Sequence, residues 1–269
     1  GDAHLTAATL DNQTGSIEHA GEGTLAIEVT DLHGAGGRIV GNGALQLKGD
    51  TLDLSGATTG ARQVTVTAGS LDTSKGTLTS TGTQAMTLQV DRALTNNGGT
   101  IAANGAQQIT AGSLSNIDGT LSAAGAGDTR INVLGTFDNT RGDVASNGRQ
   151  LQIDAARLIN EEGTLSHGGT QSLTLTVGQL DGAKGTIVSA GALALQAGAV
   201  DHRGATLNAT QLTVQAESFN NQGGTVLATG GQASSLDVSG VLDNGNGGTL
   251  ASNGDLQITA ATLGNAGGT

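Results

Sequence analysis

An all-β solenoid, a parallel β-helix of roughly a dozen coils, is the fold this sequence predicts, and three observations predict it. A phrase of Asn, Asp and Gly recurs, as LTNNGGTIAANG from Leu94 to Gly105 and FNNQGGTVLATG from Phe219 to Gly230. Aligning the phrase sets an apolar anchor at Leu10, Leu32, Leu52, Leu71, Leu94, Leu114, Phe137, Leu158, Leu180, Val200, Phe219, Leu242 and Leu263. These anchors stand 19 to 23 residues apart, about 21 on average, a period at which solenoids come first. Between the turns, aliphatic residues alternate with polar ones at the period of two that β-strands require, and no helical period intervenes.

Each unit is written in the same order. After the anchor come Asn and Asp, as in Asp11-Asn12, Asn96-Asn97, Asp138-Asn139 and Asn220-Asn221, read as turn formers that tolerate left-handed backbone and hydrogen-bond their own turn. In most units a glycine falls five residues after the anchor and an aliphatic residue seven after it, for example Gly99 and Ile101, or Gly163 and Leu165. A second turn follows at Asn42-Gly43, Asn104-Gly105, Asn147-Gly148 and Asn253-Gly254. The unit closes on an alternating strand such as LQIDAARL, in which Leu151, Ile153, Ala155 and Leu158 face inward.

The expectation is three short strands per coil, with longer units inserting two or three residues before the last strand. Consecutive short units near Leu52 and Val200 depart from the pattern. One coil buries too few side chains to offset its own ordering, so the coils must stack, each hydrogen-bonded to two neighbours. The repeat runs from the first residues to the last, which predicts a single domain over 1–269. Neither end resembles a polar cap, so the chain reads as an uncapped internal segment of a longer rod.

Composition sharpens this. With 46 glycines, two phenylalanines and no Trp, Tyr, Pro or Cys, small aliphatic residues must fill the interior. A net charge of −12 with 11 scattered Lys and Arg residues opposes a nucleic-acid partner, which needs a basic face. No apolar run is long enough to span a membrane as a helix. The absence of cysteine removes a disulfide scaffold and a thiolate zinc site.

The phrase L-x-N-x-x-G-x-[LIV], seen in LDNQTGSI (Leu10 to Ile17), FDNTRGDV (Phe137 to Val144) and LTNNGGTI (Leu94 to Ile101), resembles the filamentous haemagglutinin repeats of exoproteins secreted by the two-partner pathway. The resemblance covers nearly the whole chain. It implies a right-handed β-helical filament on the bacterial surface, a secreted or extracellular location, and a parent that is an adhesin or a contact-dependent growth inhibition effector. It also implies an outer-membrane transporter as partner, engaged through a secretion domain with no counterpart here, since there is no proline for an Asn-Pro motif. Both parents remain open.

Little in the sequence points to chemistry. Phe137 and Phe219 occupy anchor positions, which reads them as core rather than as sugar platforms. Glu161-Glu162, the one adjacent acidic pair, falls in a turn. His4, His19, His33, His167 and His202 lack metal-ligand spacing. The expectation is therefore no enzyme, no metal and no cofactor. The N-x-T sequons at Asn12 and Asn208 are what an Asn- and Thr-rich repeat produces by chance.

Arg141-Gly142-Asp143 is the candidate binding site. Gly142 is the repeat glycine, so only its neighbours need explaining. Arg and Asp held outward would offer a guanidinium and a carboxylate to a cell-surface receptor, and adhesins of the resembled family carry this tripeptide. A neutral surface turn is the competing reading. A recognition surface in the irregular coils, Thr51 to Gly69 or Ala199 to Ser218, is a further alternative, and a polysaccharide-processing β-helix is another.

Overall fold

A computed structural model describes all residues 1–269. The chain winds as a parallel β-solenoid, its 25 strands lying in two sheets of 13 and 12 strands. In each sheet every strand pairs with the equivalent strand of the coils before and after it, and every pairing is parallel. We number the rungs 1 to 13 by the anchors given above. At about 4.8 Å per rung, the 13-stranded sheet extends about 60 Å.

The sequence predicts three strands per coil, and the structure has two. Rung 8 shows why. The long strand Leu151–Ile159 runs through the anchor Leu158 without interruption, and the short strand Thr164–His167 follows the turn. What reads as two strands is one continuous strand, in which a single residue, Ala156 on this rung, drops out of the ladder ahead of the anchor. Against rung 7, pairing holds through Val133↔Ala155, shifts because rung 7 carries one extra residue, and resumes at Thr136↔Arg157. The bulge keeps both halves in the same sheet while turning the chain.

Leu134, 73% exposed, and Val241, 51% exposed, point outward despite their chemistry because each stands next to an inward residue, Val133 and Leu242, on its strand. Inside, the anchors from Leu32 to Leu242 are all buried, none more than 3% exposed. Phe137 and Phe219 are core, as their positions predict. The apolar interior is one continuous cluster along the axis. Its growth with each added rung is what makes the stack stable where one coil is not.

The two corners obey different rules. In the first, the left-handed residue stands four after the anchor in every rung: glycine at Gly36, Gly56, Gly98, Gly204, Gly223 and Gly267, and otherwise Thr14, Lys75, Asp118, Arg141, Glu162, Lys184 or Asn246. The Asn and Asp one and two residues after the anchor are therefore not the left-handed residues the sequence suggests. The first of the pair closes the turn: Asp53, Asp72, Asp138 and Asp243 each accept the backbone N–H two residues on, at 2.8–2.9 Å. The second corner varies in length. It shrinks to the single residues Arg62 and Thr210, within the two irregular regions the spacing picks out.

Candidate functional site

The first corner carries a structure invisible in any single repeat. The residue two after the anchor points inward and stacks along the axis. Asn96 Nδ2 donates to Asn116 Oδ1 at 2.7 Å, Asn116 to Asn139 at 2.8 Å, and Asn139 to Asn160 at 2.8 Å. Thr73 begins this run by donating its Oγ1 hydrogen to Asn96 Oδ1 at 2.9 Å. A second run joins Asn221 to Asn244 and Asn244 to Asn265, each at 2.7 Å. Each amide also donates to the carbonyl of its own repeat glycine, as Asn139 Nδ2 does to Gly142 O at 3.0 Å.

Asn96, Asn116, Asn139 and Asn160 are wholly buried. Polar groups at such depth stay only when satisfied, and here every amide is satisfied by the rung above, the rung below and its own turn.

The ladder sets the repeat glycine. A Cβ added at Gly142 would lie 2.1 Å from Asn116 O, at Gly163 2.2 Å from Asn139 O, and at Gly185 2.0 Å from Asn160 O. A methyl occupies this position only where the rung beneath carries glycine in the ladder place. Ala57 follows Gly34, and Ala205 follows Gly182; these are the two rungs with alanine in the glycine's place and the two with glycine in the asparagine's. Both alanines are buried, at 2% and 3% exposure.

Arg141-Gly142-Asp143 sits on this corner. Arg141 is the left-handed residue of rung 7, with φ 53°. Its guanidinium grips Asp118 of rung 6 with two parallel bonds, Nε to Oδ1 and Nη2 to Oδ2, both 2.8 Å. Hydrogen bonding between them raises the arginine's pKa and lowers the carboxyl's. Asp118, Arg141, Glu162 and Lys184 alternate in sign on successive rungs, and Lys184 pairs with Glu162 at 3.6 Å. Arg141 is thus half exposed but engaged.

Asp143 is exposed, and no cation of the chain pairs with its carboxylate. It opens the short strand Asp143–Ser146, paired with Thr120 below and Thr164 above. From Thr58 to Thr249 this row is otherwise threonine on every rung: Thr77, Thr100, Thr120, then Asp143, then Thr164, Thr186, Thr206 and Thr225. The tripeptide therefore presents one free carboxylate on a neutral hydroxyl surface, beside an arginine tied to its neighbour.

Glu161 and Glu162 are on an exposed turn, Glu162 serving Lys184. The histidines do not gather with carboxylates as a metal site would need. His167 and His202 are buried at 1% exposure, which nothing in their sequence context signals. Asn12 is a buried ladder residue, whereas Asn208 lies on a strand's outer side. Around Arg62 the short corners leave an open hollow of about 300 Å³ between longer loops, lined by Glu22, Gln63, Thr83 and Gln84.

Sequence reasoning missed the ladder. Its signal was present: Asn at one fixed offset in rung after rung, and Ala for Gly only above a rung without it.

Taken together, the geometry defines a repeat-built rod, with an apolar and amide-laddered interior and polar outer faces. The haemagglutinin repeat family's profile matches in six overlapping stretches, residues 1–28, 20–85, 84–141, 123–176, 172–240 and 232–269, which tile the chain, and the chain belongs to that family. Comparison with curated proteins and with solved structures gives no match. A haemagglutinin-repeat β-helix of this kind fits the filament shaft of an adhesin-type protein.

Proposed function

We propose that this chain is a stretch of shaft in a secreted, surface-exposed filament of the two-partner type, holding an adhesive or toxin-delivering region away from the cell. The observation that carries the reading is the unbroken tiling of one repeat over the whole chain. The role is extension and display, and the reading assigns no catalysis and no cofactor. Its partner is an outer-membrane transporter, engaged outside this segment. Rungs that fold as they emerge would draw the chain outward, because each new rung docks on a finished sheet edge and cannot slip back.

Proline at Ile101 tests this. Ile101 is fully buried in the middle of a paired short strand, where proline removes a ladder N–H. In the exporting cell, surface accumulation of the Ile101→Pro parent chain is expected to fall several-fold. Unchanged export would overturn the folding-driven step.

The second reading, a receptor-recognition segment, is favoured by the free Asp143 carboxylate. Labelled protein applied side by side to mammalian and bacterial cells tests it. If Asp143 engages a receptor, mammalian-cell binding disappears in Asp143→Thr, a change that only completes the threonine row. Binding to neither cell type supports the shaft alone. Gly142→Ala is the wrong control, since its methyl collides with Asn116 O and perturbs the fold. Turnover of an acidic polysaccharide by the pure chain would overturn both readings in favour of an enzyme.

A further inference from the structure

Rungs 8 to 10 concentrate three departures from the repeat. At rung 9 the ladder residue is Gly182, so the amide run that ends at Asn160 is not handed on. At rung 10 the ladder residue is His202. Its Nδ1 lies 2.7 Å from Asn221 Oδ1, an oxygen of an amide whose Nδ2 already donates to Asn244 Oδ1, Gly224 O and Thr249 O. The network therefore sets the Nδ1–H tautomer. It leaves Nε2 bare, buried and without a partner, with the Phe219 ring 5.7 Å from the imidazole centre.

At rung 8, His167 ends the short strand, in a row held by small residues such as Ala123, Ser146, Ser189 and Ala209 on every other rung but the first, where His19 stands only half-buried. Neither of its ring nitrogens has a partner. The Gly168-Gly169 loop closes over the ring so tightly that a Cβ at Gly169 would lie 2.7 Å from Cε1.

We propose that rungs 8 to 10 form an acid-sensitive joint: protonation of His167 and His202 opens this segment of the rod while the amide-laddered blocks on either side stay closed. A protonated imidazole at either site is a buried charge; the backbone carbonyls of Ser146 and Arg149 beside His167, and of Thr206 beside His202, favour it, and burial outweighs them. The charged groups near His202 are Asp201 and Arg203, bound to each other on its own turn, and Asp181 and Lys184 on the turn beneath; Asn220, Asn221 and Gln222 above carry no charge. Near His167 they are Arg149 and its partner Asp128 on the turns beneath. None offers a free carboxylate to the buried ring.

Burial lowers the pKa of both histidines in the fold. Once the segment opens, each returns to the ordinary value of 6.5. The open state therefore binds more protons, and stability is whole above about pH 6.5 and is lost as pH falls through the lowered folded values. Gly182 supplies the second half of the device. With no amide to pass the ladder across rung 9, opening there breaks no amide-to-amide bond.

Hydrogen exchange of the full chain at pH 7.5 and pH 5.0, corrected for intrinsic rates, tests the joint. Protection between residues 158 and 210 is expected to fall by about tenfold or more at pH 5.0, with residues 94–146 changing by less than about twofold. The double variant His167→Ser, His202→Asn gives each row a residue that it carries on neighbouring rungs and should abolish the local response. Uniform loss along the chain, unchanged protection in 158–210, or a response that survives in the double variant would each overturn the proposal. The outcome is independent of export and of cell binding.

Discussion

Replacing Asn139 by alanine is expected to destabilise the rod by about 3 kcal/mol, among the largest costs of any single polar substitution in this chain. The residue is wholly buried, in the middle of the longer amide run. Its removal takes the acceptor from Asn116 Nδ2 and the donor from Asn160 Oδ1, and withdraws bonds to Gly142 O and Thr164 O. Burying orphaned polar groups costs about 1–3 kcal/mol each, and the vacated volume adds to it. Asn12→Ala is the control, because that side chain makes one hydrogen bond, to Arg38 O at 3.1 Å, and stands at the edge of the stack. Its cost should be about 1 kcal/mol. Urea unfolding of the two variants separates them, and equal costs would show that the run contributes nothing beyond its separate bonds.

The second large effect is a rescue. Gly182→Asn alone should destabilise by about 2 kcal/mol, since an amide there must share space with the buried methyl of Ala205. Ala205→Gly alone should cost about 1 kcal/mol, through a lost methyl and a looser backbone. Together they reproduce the pairing of Asn160 with Gly185 one rung below, and Asn160 gains a side-chain partner on rung 9. The double variant should be at least as stable as the parent, giving a coupling of about 3 kcal/mol in a double-mutant cycle. Additive losses would sink the matched-pair explanation of the repeat glycine.

That pairing shows how residues 20 or more apart constrain one another here. In most folds a repeat glycine is explained by its own backbone angles. Here Gly142, Gly163 and Gly185 have ordinary φ, and glycine is required because the previous rung's asparagine carbonyl occupies the space of a Cβ. The truly left-handed position one residue earlier is the one that accepts Lys75, Arg141, Glu162 and Lys184. Long charged side chains at this corner reach along the axis, and Asp118, Arg141, Glu162 and Lys184 pair across rungs as a result. Arg141 belongs to that arrangement whatever Asp143 does. A receptor that uses both must take the guanidinium from Asp118 first.

The sequence by itself determined the period, the anchors, the two corners and the solenoid class. These rest on interactions within one rung: alternation that sends every second side chain inward, and turn residues that cannot extend a strand. Even the irregular regions near Arg62 and Thr210 were legible, because a missing residue shortens its own corner. Only the tertiary structure decided the amide ladder, the merging of two predicted strands into one, the threonine row around Asp143, the tie between Arg141 and Asp118, and the burial of His167 and His202. Each of these depends on which side chains come to lie about 4.8 Å apart along the axis. That adjacency is set by how rungs of unequal length fall into register, a property of the stack that no single repeat contains.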